Sequence, residues 1–146
     1  MLITKNSQVI RSIGQWFDLA PPKEGERQWV DGRSAKELAK SFFRSEYPTP
    51  PEELIRILSS SPILGQVNLI EVWPEHKIQL DSFRGETRNA DLAAIAMGLP
   101  GIISVTVEAK SDESFGKTIE ETFESASGKS NIPKRITDLA QAVFGR

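Results

Sequence analysis

Asp91, Glu108 and Lys110 are the residues of this chain whose types and spacing could do chemistry. In residues 102–110 apolar and polar side chains alternate. Ile103, Val105, Val107 and Ala109 fall on one side, Ser104, Thr106, Glu108 and Lys110 on the other. A strand has a period of two, so Glu108 and Lys110 should share a face about 7 Å apart. Asp91 stands seventeen residues before Glu108, at the start of a second apolar run, 91–97. Gly98, Pro100 and Gly101 between the runs make a turn. A hairpin there would set Asp91 beside Glu108, so that two carboxylates converge with an ammonium next to them. Two hard oxygen ligands suit Mg²⁺ or Mn²⁺. Such an ion lowers the pKa of a bound water and offsets charge on a phosphodiester transition state. A lysine beside it orients the water and adds positive charge at the scissile phosphate. Nucleic acid is the partner this chemistry implies.

The bland alternative is a same-face ion pair on a surface strand, worth about 0.2–1 kcal/mol. Glu-x-Lys alone says little more than that. The surroundings say more, because Asp91 sits among Ala90, Leu92, Ala93, Ala94 and Ile95 rather than in a run of charges. The order Asp, turn, apolar strand, Glu-x-Lys, helix is more demanding than any one of its parts.

The elements that must hold these residues are legible from periodicity. A short helix is expected within residues 4–18, from Ile10, Ile13, Trp16 and Phe17, followed by a loop over 19–33. Residues 34–44 carry Ala35, Leu38, Ala39, Phe42 and Phe43 at helical spacing, with Ser34 and Glu37 as a capping box. Thr49 and Glu52 repeat that pattern ahead of Leu54, Ile57 and Leu58. Residues 66–73 and 77–81 read as strands, with Pro74, Glu75 and exposed His76 as the hairpin turn between them. Two helices close the chain. Phe115, Ile119, Phe123 and Ala126 mark the first, ended by Gly128. The second is capped by Asn131 and carries Ile132, Ile136, Leu139, Ala140, Val143 and Phe144. The expected class is α+β, or mixed α/β, with helices flanking a central mixed, antiparallel-rich sheet.

Around the three residues the text resembles the PD-(D/E)xK nuclease superfamily, the restriction-endonuclease-like fold, and within it a small bacterial subfamily. The resembling pieces are Gly32-Arg33-Ser34-Ala35-Lys36-Glu37-Leu38-Ala39, Asn89-Ala90-Asp91-Leu92, Val107-Glu108-Ala109-Lys110 and Phe115-Gly116. They span roughly residues 28–126. The resemblance implies a mixed sheet flanked by helices in the order helix, three strands, helix, strand. It implies that Asp91 and Glu108 are metal ligands for Mg²⁺ or Mn²⁺ and that Lys110 is the catalytic lysine. Ala90 stands where the motif often has proline. No final strand is legible after residues 115–126, so the chain reads as one domain, 1–146, in which either the distal part of that core is missing or the last strand comes from elsewhere. A nuclease or nuclease-related DNA-processing protein is the expected function. The alternative is a catalytically silent domain of the same fold, used for protein–protein contact or regulation.

Accessory candidates compete with simpler roles. Glu37 lies on the first strong helix, where the superfamily often adds an acidic residue, yet it is also the third helical residue of a capping box. Glu120, with Glu121 and Glu124, could reach the site or form a solvated helix face. Arg84 and Arg88 precede Asp91 and could bind phosphate. Asp112 and Glu113 would place negative charge at the mouth of the site. Trp16, Trp29 and Trp73 do not line up with basic residues as a stacking platform would.

Composition narrows the classes. There are 146 residues, 38% hydrophobic and 26% charged, which suits one globular domain. There are no cysteines and one histidine, which excludes disulfide scaffolds, thiol catalysis, Cys-ligated zinc and multi-His metal sites. A net charge of -2 argues against coating nucleic acid by bulk charge. No apolar run reaches the ~18 residues of a membrane span and no leader is visible, so no membrane and a cytoplasmic location are expected. The apolar stripe of the C-terminal helix needs a cover, and a homodimer through that helix is the expected partner contact.

Overall fold

Small residues at the centre of a sheet and large aromatics on the helices above it explain how this chain builds its core. The computed structural model describes residues 1–79, 88–111, 116–128 and 130–145, apart from the side chains of Arg88 and Val143. The chain is α+β. It divides into two compact units, a large one of residues 1–78 and 88–111 and a small one in the C-terminal region.

In the large unit five strands form one mixed sheet. They are β1 (Leu2–Lys5), β2 (Gln8–Val9), β3 (Asn68–Ile78), β4 (Arg88–Gly98) and β5 (Gly101–Val107). The order across the sheet is β2-β1-β3-β4-β5. β1 runs parallel to β3, with Leu2 opposite Glu71 and Ile3 opposite Val72. The other pairings are antiparallel. The β3–β4 register shifts between Leu69 and Glu71.

One sheet face is the core. Ile3, Val72, Pro74, Leu92, Ala94, Ala96 and Val105 are buried there. All of these but Pro74 cluster with Trp16 of α1 (Ile13–Leu19) and with Ala39 and Phe42 of α2 (Ser34–Phe42). The ring of Trp16 lies 5.7 Å from Phe42 and meets Phe43 edge-on at 6.3 Å. Leu54, Ile55 and Leu58 of α3 (Glu52–Ser59) pack against the same cluster. The alternation expected of residues 102–110 holds within β5, with Val105 buried and Ile102, Ser104 and Thr106 exposed.

The small unit holds two helices, α4 (Ile119–Glu124) and α5 (Ile132–Phe144), packed on each other. Thr118 and Glu121 form a reciprocal capping box at the start of α4. Asn131 occupies the N-cap of α5 without a side-chain hydrogen bond. Among the described residues after Lys110 there is no strand.

Several expectations are corrected. The first residues make a hairpin, β1–β2, and the helix is confined to Ile13–Leu19. Asn6 and Ser7 both take positive φ, 49° and 65°, as a two-residue hairpin turn that matches strand twist requires. Pro74, Glu75 and His76 do not turn the chain. β3 continues through them, pairing Pro74 with Leu92 and His76 with Ala90, with a local kink at Glu75, whose φ is 48°. Pro74 lies past the last β1 pair, so its missing N–H breaks no ladder bond there. His76 is half-buried, its ring 5.5 Å from that of Trp73. Neither predicted capping box near the N-terminus forms. Arg33 and Pro51 hold the N-cap positions of α2 and α3, and neither side chain caps its helix. β5 ends at Val107, so Glu108 and Lys110 lie just beyond the strand. Phe115, Arg84, Asp112 and Glu113 lie outside the described residues.

Candidate functional site

β4 and β5 form a hairpin through Gly98 and Gly101, with Leu92 opposite Val107, Ala93 opposite Thr106 and Ile95 opposite Ser104. One step beyond the last pair, the same register sets Asp91 opposite Glu108. Directly opposed residues of an antiparallel pair share a face. Leu92 and Val107 belong to the core face, so Asp91 and Glu108 belong to the other, with Thr106 and Ser104.

The main-chain ladder stops at that step, and side chains take over. Asp91 Oδ2 accepts the Ala109 N–H at 2.6 Å. Lys110 Nζ donates to Glu108 Oε1 at 2.9 Å. The Lys110 side chain is 32% exposed and that of Glu108 60%, so the pair stands at a wet edge. Such a pair contributes about 0.2–1 kcal/mol. One residue further, Ser111 Oγ donates to the Gly32 carbonyl at 2.5 Å, tying the end of the motif to the turn before α2. Asp91, Glu108 and Lys110 are therefore brought together by adjacent strands, although two of them lie past the strand's end.

A fourth group was not foreseen. Pro74 pairs with Leu92 and His76 with Ala90, so Glu75 stands opposite Asp91 on the far side of β4. Three carboxylates thus stand on neighbouring segments, Glu75 on β3, Asp91 on β4 and Glu108 just past β5. Burial pushes the Glu75 carboxyl above its ordinary range. The negative charges of Asp91 and Glu108 push it the same way, against a hydrogen bond from Asn89 at 2.5 Å and the charge of Lys5. Lys5 Nζ grips the backbone here, donating to the Pro74 carbonyl at 2.9 Å and the Glu75 carbonyl at 2.7 Å. Burial holds the Lys5 ammonium below its usual pKa, against the raising effect of Glu75. Reading Pro74-Glu75-His76 as a turn hid Glu75. The signal that could have found it is the continuous period of Val72, Pro74 and Glu71, Trp73, Glu75 along one strand.

The accessory candidates lie elsewhere. Glu37 Oε1 accepts the Gly32 N–H at 2.9 Å and pairs with Lys40 at 2.8 Å. Its helix-start role is real, though it reaches back past Ser34. Asp31 bridges Lys36 and Lys40 at 3.1 and 2.7 Å beside it. Glu120 is exposed in the first turn of α4, in the small unit. Among the described residues no three His, Asp or Glu side chains are grouped closely enough to cage a metal ion. Two carboxylates still match the demand of Mg²⁺, which keeps several waters and takes one or two protein ligands.

The chain belongs to the family of a domain of unknown function, DUF6946, whose family model matches residues 9–145. No curated protein and no solved structure matches it. Among the described residues no helix is long and apolar enough to cross a membrane.

Proposed function

We propose that this protein is a Mg²⁺- or Mn²⁺-dependent nuclease, or a nuclease-related DNA-processing protein, of the PD-(D/E)xK type. The observation that supports the reading is the β4–β5 register, which ends at Leu92 opposite Val107, one step short of Asp91 and Glu108, together with the bonds of Asp91 to the Ala109 N–H and of Lys110 to Glu108. Asp91 and Glu108 are the metal ligands. A divalent cation held there would supply Lewis acidity to a bound water and offset the charge of a phosphodiester. The Ala109 N–H fixes the Asp91 carboxylate in place, and Lys110 orients the attacking water and adds positive charge at the phosphate. Nucleic acid is the substrate class and the cytoplasm the location that go with this reading.

The same contacts favour a second reading, in which the domain is catalytically silent and serves protein contact or regulation. Glu108 already has Lys110, and Asp91 already has a backbone donor. Calorimetric titration with Mn²⁺, run beside a metal-dependent plasmid-nicking assay, separates the two. The wild type should take up Mn²⁺ and nick DNA. Lys110→Ala should keep metal binding and lose cleavage at least ~100-fold, as expected when a general acid–base group is removed. Asp91→Asn keeps a hydrogen-bond acceptor for Ala109 but should lose both. No Mn²⁺ uptake by the wild type at millimolar concentration would leave the silent reading standing.

A further inference from the structure

We propose that two copies of this chain associate edge to edge through β5, forming one continuous antiparallel sheet across a two-fold axis. The inference is independent of the nuclease reading. β5 is the end strand of the sheet, paired only with β4 among the described residues. Its outer row of N–H and C=O groups is a template for another strand. Edge strands are normally blunted by charge, proline or shortness, and β5 has none of these. Gly101–Val107 reads GIISVTV, seven residues without a charged side chain or a proline. The opposite edge, β2, is two residues long and too short to template a partner. With one usable edge per molecule, pairing closes at a dimer instead of growing into a fibre.

Charge selects the orientation. Glu108 and Lys110 follow β5 at its C-terminal end, while its N-terminal end carries the uncharged turn Gly98-Leu99-Pro100. Antiparallel pairing keeps the two copies' Glu108 carboxylates at opposite ends, each towards an uncharged turn. Parallel pairing would set them side by side, where like charges are destabilising. Area supports the same surface. A bare strand pair buries less than the roughly 1,200 Å² of a stable interface. Ile102 (73% exposed), Leu99 (77%) and Met97 (43%) lie on or beside β5 and extend it with apolar area. The loop that carries Ile63 (73% exposed) is bonded to Leu99 through the Leu64 carbonyl at 2.7 Å. The competing surface is α5, which exposes Leu139 and Phe144 but already packs on α4 and offers no unpaired main chain.

The test is sedimentation velocity of the full chain across a concentration series, with hydrogen exchange read at β5. The wild type should shift from monomer to dimer as concentration rises, with β5 amides gaining protection in step. The double variant Ser104→Lys, Thr106→Lys puts like charges across the two-fold and should sediment as a monomer throughout, with unchanged circular dichroism. Leu139→Glu should remain a dimer. A wild type that stays monomeric at the highest concentration, or a dimer abolished by Leu139→Glu with β5 protection independent of concentration, overturns the proposal. Should the lysine variant misfold, the concentration dependence of β5 exchange in the wild type decides alone.

Discussion

Lys40 shows how a single ammonium can set two proton affinities. It donates to Asp31 and to Glu37, and these hydrogen bonds hold Lys40 above its ordinary pKa. Asp31 is held below the usual carboxylate range by Lys40 first and Lys36 second. Glu37 is held low by the Gly32 N–H first and Lys40 second. Both carboxyls have folded values below their unfolded ones. Their contribution to stability is therefore present above the unfolded carboxylate pKa and is lost as pH falls through the folded values. Carboxyl-detected NMR titration should show both groups titrating low, and Lys40→Met should bring both upwards, Asp31 more than Glu37. Equal, unshifted titrations in the two proteins would refute the network. At this scale the sequence was readable where chemistry demanded a residue type and unreadable where geometry chose the partner. Asp91, Glu108 and Lys110 announce themselves by charge in an apolar run. The grip of Glu37 on Gly32 in place of Ser34 depends on where the helix begins, which no side chain declares.

The β4–β5 hairpin is the element on which the site depends, and Gly98 is the residue that lets it close. A Cβ at that position would come within 2.6 Å of Ile103 Cδ1 and 2.7 Å of the Leu64 carbonyl oxygen. The isoleucine could turn aside, but the carbonyl belongs to backbone that also receives the Leu99 N–H. Gly98→Ala should therefore cost about 1–3 kcal/mol, the range typical of overpacking. Urea unfolding with an unchanged m-value would measure it, and a loss under ~0.5 kcal/mol, the scatter of ordinary surface substitutions, would mean the loop yields easily. The hairpin itself was legible, since two apolar runs flank a Gly-Leu-Pro-Gly turn. The strand before it was misread at Pro74 because a proline there can mean turn or strand. The outcome depends on whether a neighbouring strand needs the missing N–H, and that neighbour, β1, lies about seventy residues away in sequence.

The whole molecule is unevenly cored. Ile3, Trp16, Phe42, Val72 and Leu92 are buried in the large unit. No described residue among 116–145 is buried, and Ile119, Phe123, Leu139 and Phe144 are exposed. Amides of α5 should exchange through openings far cheaper than global unfolding, while those of β3 and β4 should approach the global free energy. Native-state hydrogen exchange checks this, and equal protection in α5 and β4 would contradict it. Phe42→Ala should remove about 3–5 kcal/mol from the large unit. The parallel pairing of β1 with β3 has a consequence in time. Strands β3, β4 and β5 follow one another along the chain and can pair as they leave the ribosome. Leu2 and Ile3 are made well before Glu71 and Val72, so β1 can fold back on β2 at once but must wait for its second neighbour, β3. During that interval the nascent chain carries a β1–β2 hairpin whose β3-facing edge is open, the segment for which a chaperone acting during synthesis would have its longest opportunity.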